Sequence, residues 1–357
     1  MIVVNYGRGG AGALAAATAE TLAASDIGAC LERGMSVSIK PNLVVPRPAG
    51  EGATTHPELV EGIIAFLKDF GIQSISVIEN SAVGHSAKLA FKACGYEALR
   101  KKYGVPLVDL QGDRAVALSH GGCEIRICET ALKADFLINA PVLKAHCQTR
   151  MTCCMKNLKG CIPQSEMKRF HSLGLHKPIA ALNALLRPGY CVVDGVCGDL
   201  TFEEGGTPVE ANRVIAGRDP LLVDSYCAAL IGYGPDEIEY LSLGREMGLG
   251  ECYSRETKLV ELNPGRKPRR AAKGDPVADR YRGLVDEDAA CSVCYAALAF
   301  ALHRSGGRVP RGGKIKIGQG FRGKSGAGIG IGDCARGFAP CAEGCPPKAA
   351  DILPLLA

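Results

Sequence analysis

Met35-Ser-Val-Ser-Ile39-Lys40-Pro41-Asn42-Leu43 and Ser74-Ile-Ser-Val-Ile78-Glu79-Asn80-Ser81 decide the fold. Each is a short apolar run that stops abruptly on polar residues. Between them, after a Pro-, Gly- and Thr-rich loop over 44–56, Pro57 opens a segment with apolar residues at 60, 63, 64 and 67, closed by Gly71. Proline suits a first helical turn, Thr55 or His56 can cap it, and the three- and four-residue spacing paints one helix face. A helix is therefore expected over 57–70. Lys40, Asn42, Glu79, Asn80 and Ser81 then fall at the carboxyl ends of strands, the edge where open α/β sheets bind ligands.

The alternation extends in both directions from this unit. Met1–Tyr6 reads as a first strand, and residues 11–31 carry helical spacing. Helical segments are expected over 86–103 with an interruption at Gly95, then a strand at 105–110. An antiparallel pair follows near 115–119 and 124–129, and a buried strand at 134–139. Further on come a helix at 176–187, strands at 190–194 and 213–216, a helix at 220–231 with Asp219 as cap and Pro220 as first residue, and another at 235–247. The expected fold class is α/β, a doubly wound and mainly parallel sheet with a small C-terminal cysteine-rich iron–sulfur module. Residues 1–250 are expected to form the α/β domain. Apolar density falls over 251–288, a charged linker or excursion, and 289–357 form the module. The loop Gly7-Arg-Gly9-Gly10 is too irregular for a dinucleotide fingerprint, and no P-loop occurs.

Composition narrows the function class. A net charge of +5 is too weak to argue for nucleic acid, and its basic excess is local, at Arg266, Lys267, Arg269, Arg270 and Lys273. That stretch reads as a solvated loop, with an anionic partner as the alternative. There is no Trp, so the cores rest on Ala, Val, Leu and Ile. The 17 cysteines follow no secretion signal, and no apolar run is long enough to span a membrane. They are expected to be reduced thiols of a cytoplasmic protein, many of them small buried hydrophobes.

Polar residues are densest over 141–176. Lys156, Asn157 and Lys159 cannot share one solvent-facing helical stripe, since consecutive positions turn by about 100°, so they are expected to line a cleft. The candidate catalytic residues are Lys144, His146, Lys156, His171 and His176, the lysines as charges or general acids and the histidines as proton carriers or ligands. Lys40, Asn42, Asn157 and Lys159 are candidate substrate-binding residues. Cys147, Cys153, Cys154 and Cys161 lie in the same stretch. They read as buried thiols, with a second metal site or a redox disulfide as alternatives.

The tail carries the metal signal. Cys291-Ser-Val-Cys294 puts two sulfurs within reach of one centre. Cys334, Cys341 and Cys345-Pro-Pro follow a glycine-rich tract from Lys314 to Gly332. Zinc ribbons favour two C-x2-C knuckles, and this chain has one. The glycines offer close-approaching backbone N–H groups to cluster sulfides, or alternatively to a phosphate. One 4Fe–4S cluster on Cys291, Cys294, Cys334 and Cys345 is the expected cofactor. Cys341 is the reserve ligand, and zinc or no metal are the alternatives.

These motifs, taken in order, resemble a known family. The stretches are Lys40-Pro-Asn-Leu, Thr55-His-Pro-Glu-Leu-Val, Leu137-Ile-Asn-Ala-Pro-Val-Leu-Lys-Ala-His, Met155-Lys-Asn-Leu-Lys-Gly-Cys, Phe170-His, Gly174-Leu-His, Val192-Val-Asp-Gly and Gly217-Arg-Asp-Pro. They are similar to the family catalogued as domain of unknown function 362, whose members often carry iron–sulfur centres. Ile317-Gly-Gln-Gly-Phe-Arg-Gly and Gly344-Cys-Pro-Pro look like members with a C-terminal cluster. The resemblance implies an α/β domain and a 4Fe–4S cluster, but no reaction. The expected function is a redox enzyme or electron-transfer protein acting on a small anionic substrate or a redox partner protein. The alternatives are an acid–base or racemase-like enzyme with a structural cluster, and a zinc-stapled binding protein.

Overall fold

A computed structural model describes residues 1–7, 11–268, 273–309 and 314–356. The readings made for Arg8, Gly9, Gly10, Arg269 and Arg270 fall outside them. The chain is a mixed α/β protein whose central eight-stranded sheet is largely parallel. From one edge its strands are Leu259–Leu262, Ile2–Tyr6, Pro208–Gly217, Tyr190–Asp199, Phe136–Ala140, Ser36–Pro41, Ser74–Glu79 and Leu107–Asp109. Only Pro208–Gly217 runs against its neighbours; the other adjacent pairs are parallel.

Both faces are covered, which is why the strands read as continuous apolar runs rather than alternating ones. Tyr190 and Val192 face one core layer with Val37, Ile39 and the helix Pro57–Phe70. Cys191 and Val193 face the other, with Ile179, Leu182, Leu221 and Tyr240. The helix Pro57–Phe70 buries Leu59, Val60, Ile63, Ile64 and Leu67 and ends at the left-handed Gly71, whose N–H returns to Leu67 and Lys68. Gly62 lets it cross the helix Ala11–Ala23 closely, because a Cβ there would overlap the Ala15 carbonyl.

Several elements differ from expectation. The strand at 190–194 continues to Asp199 and pairs antiparallel with Pro208–Gly217, a longer partner than the expected 213–216. The long hairpin brings in the loop 200–207. Lys144–His146 and Arg150–Thr152 form a small antiparallel ladder. The stretch 251–288, expected as a linker or excursion, contributes the edge strand Leu259–Leu262, which lies parallel to Ile2–Tyr6.

The tail forms a four-stranded parallel sheet, Val285–Glu287, Ile315–Ile317, Ile329–Ile331 and Cys341–Ala342. The helix Ser292–Arg304 buries Tyr295, Leu298, Ala301 and Leu302 in the same core. Side chains tie this unit to the central domain. Ser292 Oγ meets Gln148 Oε1 at 2.7 Å, Gln148 Nε2 donates to the Ala290 carbonyl at 2.9 Å, and Gln319 Nε2 to that of Lys168 at 3.0 Å.

Candidate active site and adjoining cysteine cavity

The sheet winds outward from Ser36–Pro41 through Ser74–Glu79 to Leu107–Asp109, then returns to pair Phe136–Ala140 on the other side of Ser36–Pro41. The carboxyl ends on either side of that reversal are where an open sheet leaves a crevice. Here they carry Lys40 and Asn139, which are register partners.

A cluster of buried amides builds the floor. Asn157 Nδ2 donates to Asn139 Oδ1 at 2.8 Å and to the Lys40 carbonyl at 3.1 Å. Its Oδ1 accepts from Asn42 Nδ2 at 3.0 Å. The short helix Cys154–Asn157 that presents Asn157 is held at its start by Asp224, whose two oxygens take the N–H groups of Cys154 and Met155 at 2.6 and 2.9 Å. Asn183 Nδ2 holds the Met155 carbonyl at 2.9 Å. Buried polar groups are stable only when paired in this way.

Above that floor is a cavity of about 90 Å³ lined by Lys40, Asn42, Glu79, Asn80, Thr152, Lys156, Asn157, Lys159, His171, Glu203 and Cys291. Its lysines are not equivalent. Lys40 is neutralised by Glu79 at 2.8 Å. Lys156 stands 3.8 Å from Glu203 and 3.2 Å from Thr152 Oγ1. Among the described residues, Lys159 has no carboxylate partner; its Nζ lies 3.5 Å from His171 Nε2. Burial, and then the Lys156 charge, bring Lys159 down to about 7. Burial and the Lys159 charge hold His171 well below the usual imidazole range, so it is a neutral base. Its Nδ1 has no hydrogen-bond partner among the described residues.

Lys144 and His146 lie behind this wall. Lys144 Nζ donates to the carbonyls of Ala53 at 2.7 Å and Glu203 at 2.9 Å, and burial lowers it to about 8. His146 is fully buried, and burial drives it to about 3 against the pull of Glu203. Its Nδ1 accepts the N–H groups of Gln148 and Thr149, both at 3.1 Å. The proton of the neutral ring must therefore sit on Nε2, which lies 3.1 Å from Glu203 Oε2 but off the hydrogen-bond line. Cys147 Sγ is 3.3 Å from the same oxygen. These three groups are close enough for a metal, yet an Nε2 that carries the proton has no lone pair for one. The arrangement places a neutral imidazole and a thiol beside the Glu203 carboxylate. Burial raises the Glu203 carboxyl, but the Lys156 and Lys144 charges oppose it and it is held well below the usual range.

His176 lies apart from this cavity. It starts the helix His176–Leu185, stacks on Tyr240 at 6.2 Å between centroids and faces Glu239 at 3.7 Å. Cys147, Cys153, Cys154 and Cys161 do not form one group: Cys147 joins His146 and Glu203, Cys153 and Cys154 join Asp224, and burial raises Cys161 to about 12 in the core. Glu203 and Glu79 were not among the sequence candidates for the site. Glu79 was visible as a polar residue at a strand end, whereas Glu203 enters through the hairpin loop, for which the sequence carries no pairing signal.

Cys291, Cys294, Cys334 and Cys345 line a second, smaller cavity together with Gly318, Gln319, Arg322, Gly332, Asp333 and Gly344. The three glycines have φ of 126°, 81° and 125°, conformations that suit glycine alone and bring backbone to the cavity wall. Arg322 Nε donates to Cys334 Sγ at 3.3 Å, and Gln319 Nε2 to Cys291 Sγ at 3.7 Å. Cys341 is not on this wall; its sulfur faces the Gly332 carbonyl at 3.8 Å. Burial, and then the neighbouring thiols, raise Cys294 to about 12. A bound cation reverses that penalty, so the donor set fits a metal centre. No three of these sulfurs lie within 4.8 Å of one another. A tetrahedral zinc with bonds of about 2.3 Å needs sulfurs about 3.8 Å apart. Thiolates on separate iron corners of a cluster stand wider. Cys291 lines both cavities.

Fold and site together define an α/β protein with a polar pocket at the sheet's carboxyl edge and a four-cysteine cavity sharing one wall with it. Residues 37–229, more than half of the chain, match the family described as Domain of unknown function (DUF362), and the chain belongs to that family. It is 27% identical over 235 residues to a thylakoid-associated protein of Synechocystis sp., a match covering 62% of this chain and 71% of that protein. Among solved structures it is similar to the lactate racemase apoprotein of Thermoanaerobacterium thermosaccharolyticum, at TM-score 0.43 and 14% identity over 66% of this chain. A Thermotoga maritima structural-genomics protein gives TM-score 0.43 and 12% identity over 68%. The chain spans less than two thirds of either structure, 57% and 61%. No helix among the described residues is long and apolar enough to cross a membrane.

Proposed function

We propose that this protein is an iron–sulfur redox enzyme that exchanges electrons with a small anionic substrate. One 4Fe–4S cluster would be held by Cys291, Cys294, Cys334 and Cys345 and would supply single electrons. The observation that carries the reading is the position of Cys291, which lines both the cysteine cavity and the polar pocket. Lys159, the pocket lysine without a carboxylate partner, takes the substrate's negative charge. His171, 3.5 Å from it, is the proton carrier. The cavity of about 90 Å³ limits the substrate, since an apolar cavity of about 150 Å³ holds benzene. A molecule of roughly four or five heavy atoms, such as a two-carbon carboxylic acid, fits that limit.

The test is anaerobic. The protein is reduced with dithionite, freed of reductant and mixed with a panel of small carboxylates that carry a reducible carbonyl, such as 2-oxo acids, while cluster absorption is followed. Reoxidation that saturates with one acid class supports the proposal. A colourless protein without acid-labile sulfide contradicts it.

A second reading, acid–base turnover with the cluster as a structural element, is favoured by the neutral Nε2-protonated His146 beside Glu203 and by the Lys159–His171 pair. It differs in needing no electron donor, so turnover by fully oxidised protein without reductant selects it.

A further inference from the structure

Next to the amide floor, where Asn139 Nδ2 donates to the Cys154 carbonyl, four thiols and one carboxylate meet in the core. Cys153 and Cys154 come from the start of the helix Cys154–Asn157, Cys191 from the strand Tyr190–Asp199, and Asp224 and Cys227 from one face of the helix Pro220–Leu230. All five are fully buried. The Cys153 and Cys154 sulfurs are 3.9 Å apart, and both lie within 4.8 Å of an Asp224 oxygen. Cys227 follows Asp224 by one helical turn, with its sulfur outside that three-residue group.

Two features separate this group from the tail cysteines and from the His146–Cys147–Glu203 group. The first is size. A tetrahedral dication with metal–sulfur bonds of about 2.3 Å has ligand edges of about 3.8 Å. The Cys153–Cys154 distance matches that edge, whereas the tail sulfurs are more widely spread. The second is donor capacity. Each Asp224 oxygen accepts one backbone N–H, which leaves each a free lone pair. Thiols, unlike the protonated Nε2 of His146, become donors by losing a proton to solvent as metal binds.

The carboxylate also lacks a counter-charge. Among the described residues no Lys, Arg or His pairs with Asp224, whose polar partners are the N–H groups of Cys154 and Met155. A buried carboxylate beside ionisable thiols is costly unless something positive joins it.

We infer that Cys153, Cys154 and Asp224 form a second metal site for a thiophilic dication such as zinc or iron(II), with Cys227, one helical turn after Asp224, turning in as the fourth donor when the metal binds. It is separate from the tail cysteines and has a structural role. The dication fixes the start of the helix Cys154–Asn157, and with it Lys156 and Asn157 at the pocket floor. Cys191 packs in the same core layer from the strand Tyr190–Asp199.

The experiment uses the full chain carrying Cys334→Ser and Cys345→Ser, which removes the tail centre. The protein is purified anaerobically and analysed for metal and acid-labile sulfide. One equivalent of a dication per chain with no sulfide is expected. After its removal, titration with Co²⁺ should give an intense thiolate-to-cobalt band that saturates at one equivalent. Cys227→Ser in the same background should reduce that band at least tenfold. In the chain with its tail cysteines intact, Cys153→Ala with Cys227→Ala should remove the dication but keep the acid-labile sulfide. The inference is overturned if the folded tail variant holds no dication and Co²⁺ gives no thiolate band. It is equally overturned if Cys227→Ser leaves the band unchanged. If Cys227→Ser fails to fold, the cobalt titration of the tail variant still decides.

Discussion

Lys40 Nζ lies 2.8 Å from Glu79 Oε1, and the two side chains retain only 1% and 3% exposure. The pair joins the carboxyl ends of adjacent strands and forms one wall of the pocket. Glu79 is further fixed by the N–H groups of Leu43 and Asn80, at 2.7 and 2.8 Å. A buried ion pair adds little net stability over an apolar pair, but removing one partner strands a charge at a cost of about 3–5 kcal/mol. Glu79→Gln removes the charge and also replaces one of the two oxygens that accept backbone N–H groups by an NH2 donor. It should destabilise the fold by about 3 kcal/mol in urea unfolding. Lys40→Met added to it should recover part of that loss, and a further loss instead would mean that the pair is not isolated from other charges.

Gly160 packs its backbone on that same pair. A Cβ there would overlap Lys40 Cε and Glu79 Oε1, and the ion pair prevents the lysine from moving aside. Gly160→Ala should cost about 1–3 kcal/mol through overpacking and should lower affinity for small anions. Wild-type stability in a melting experiment would show that the lysine has another place to go.

His56 predicts a pH dependence of stability. Its Nδ1 and its backbone N both lie 2.7 Å from Asp194 Oδ2. The Asp194 charge outweighs burial and lifts the imidazole from 6.5 to about 9. The folded pKa is raised above the unfolded one. The stabilisation is therefore fully present below pH 6.5 and is lost as pH rises through about 9. It is on the order of 3 kcal/mol. The difference in unfolding free energy between wild type and His56→Gln should shrink across that window, and a constant difference from pH 6 to pH 10 would contradict the pairing.

Lys159→Gln tests which lysine receives the substrate's charge. Lys40 and Lys156 have carboxylates at 2.8 and 3.8 Å, while Lys159 faces His171. The substitution should weaken acetate or glycolate binding at least tenfold, about 1.4 kcal/mol, and leave the metal and sulfide content unchanged. Unchanged binding, measured by NMR titration, would transfer the role to another cation.

The sheet was legible because its strands are short apolar runs with polar ends, and the ends are the site. Lys40, Asn42, Lys156, Asn157, Lys159 and His171 are brought to one cavity by a reversal of strand order that follows from the strand–helix alternation. Glu203 was not legible, because it arrives through pairing of Tyr190–Asp199 with Pro208–Gly217 across an unpatterned loop. His176 was misplaced because Gly174-Leu-His reads locally as a polar turn, whereas Leu175 takes a left-handed φ of 36° and sends the histidine toward Tyr240. The strand Leu259–Leu262 was hidden by the charged residues around it. Asp224 falls inside the expected helix 220–231 without a signal of its own, since Cys153 and Cys154 come from a distant part of the chain.

The most direct test of the central claim is electron paramagnetic resonance of the anaerobic, dithionite-reduced protein with and without a saturating small carboxylic acid. A cluster on Cys291 that borders the pocket predicts a reduced-cluster signal whose line shape changes when the acid binds. The signal should vanish in Cys334→Ser, and in Lys159→Gln it should persist without responding to the acid. Absence of any reduced-cluster signal in wild-type protein, with no acid-labile sulfide, would contradict the account.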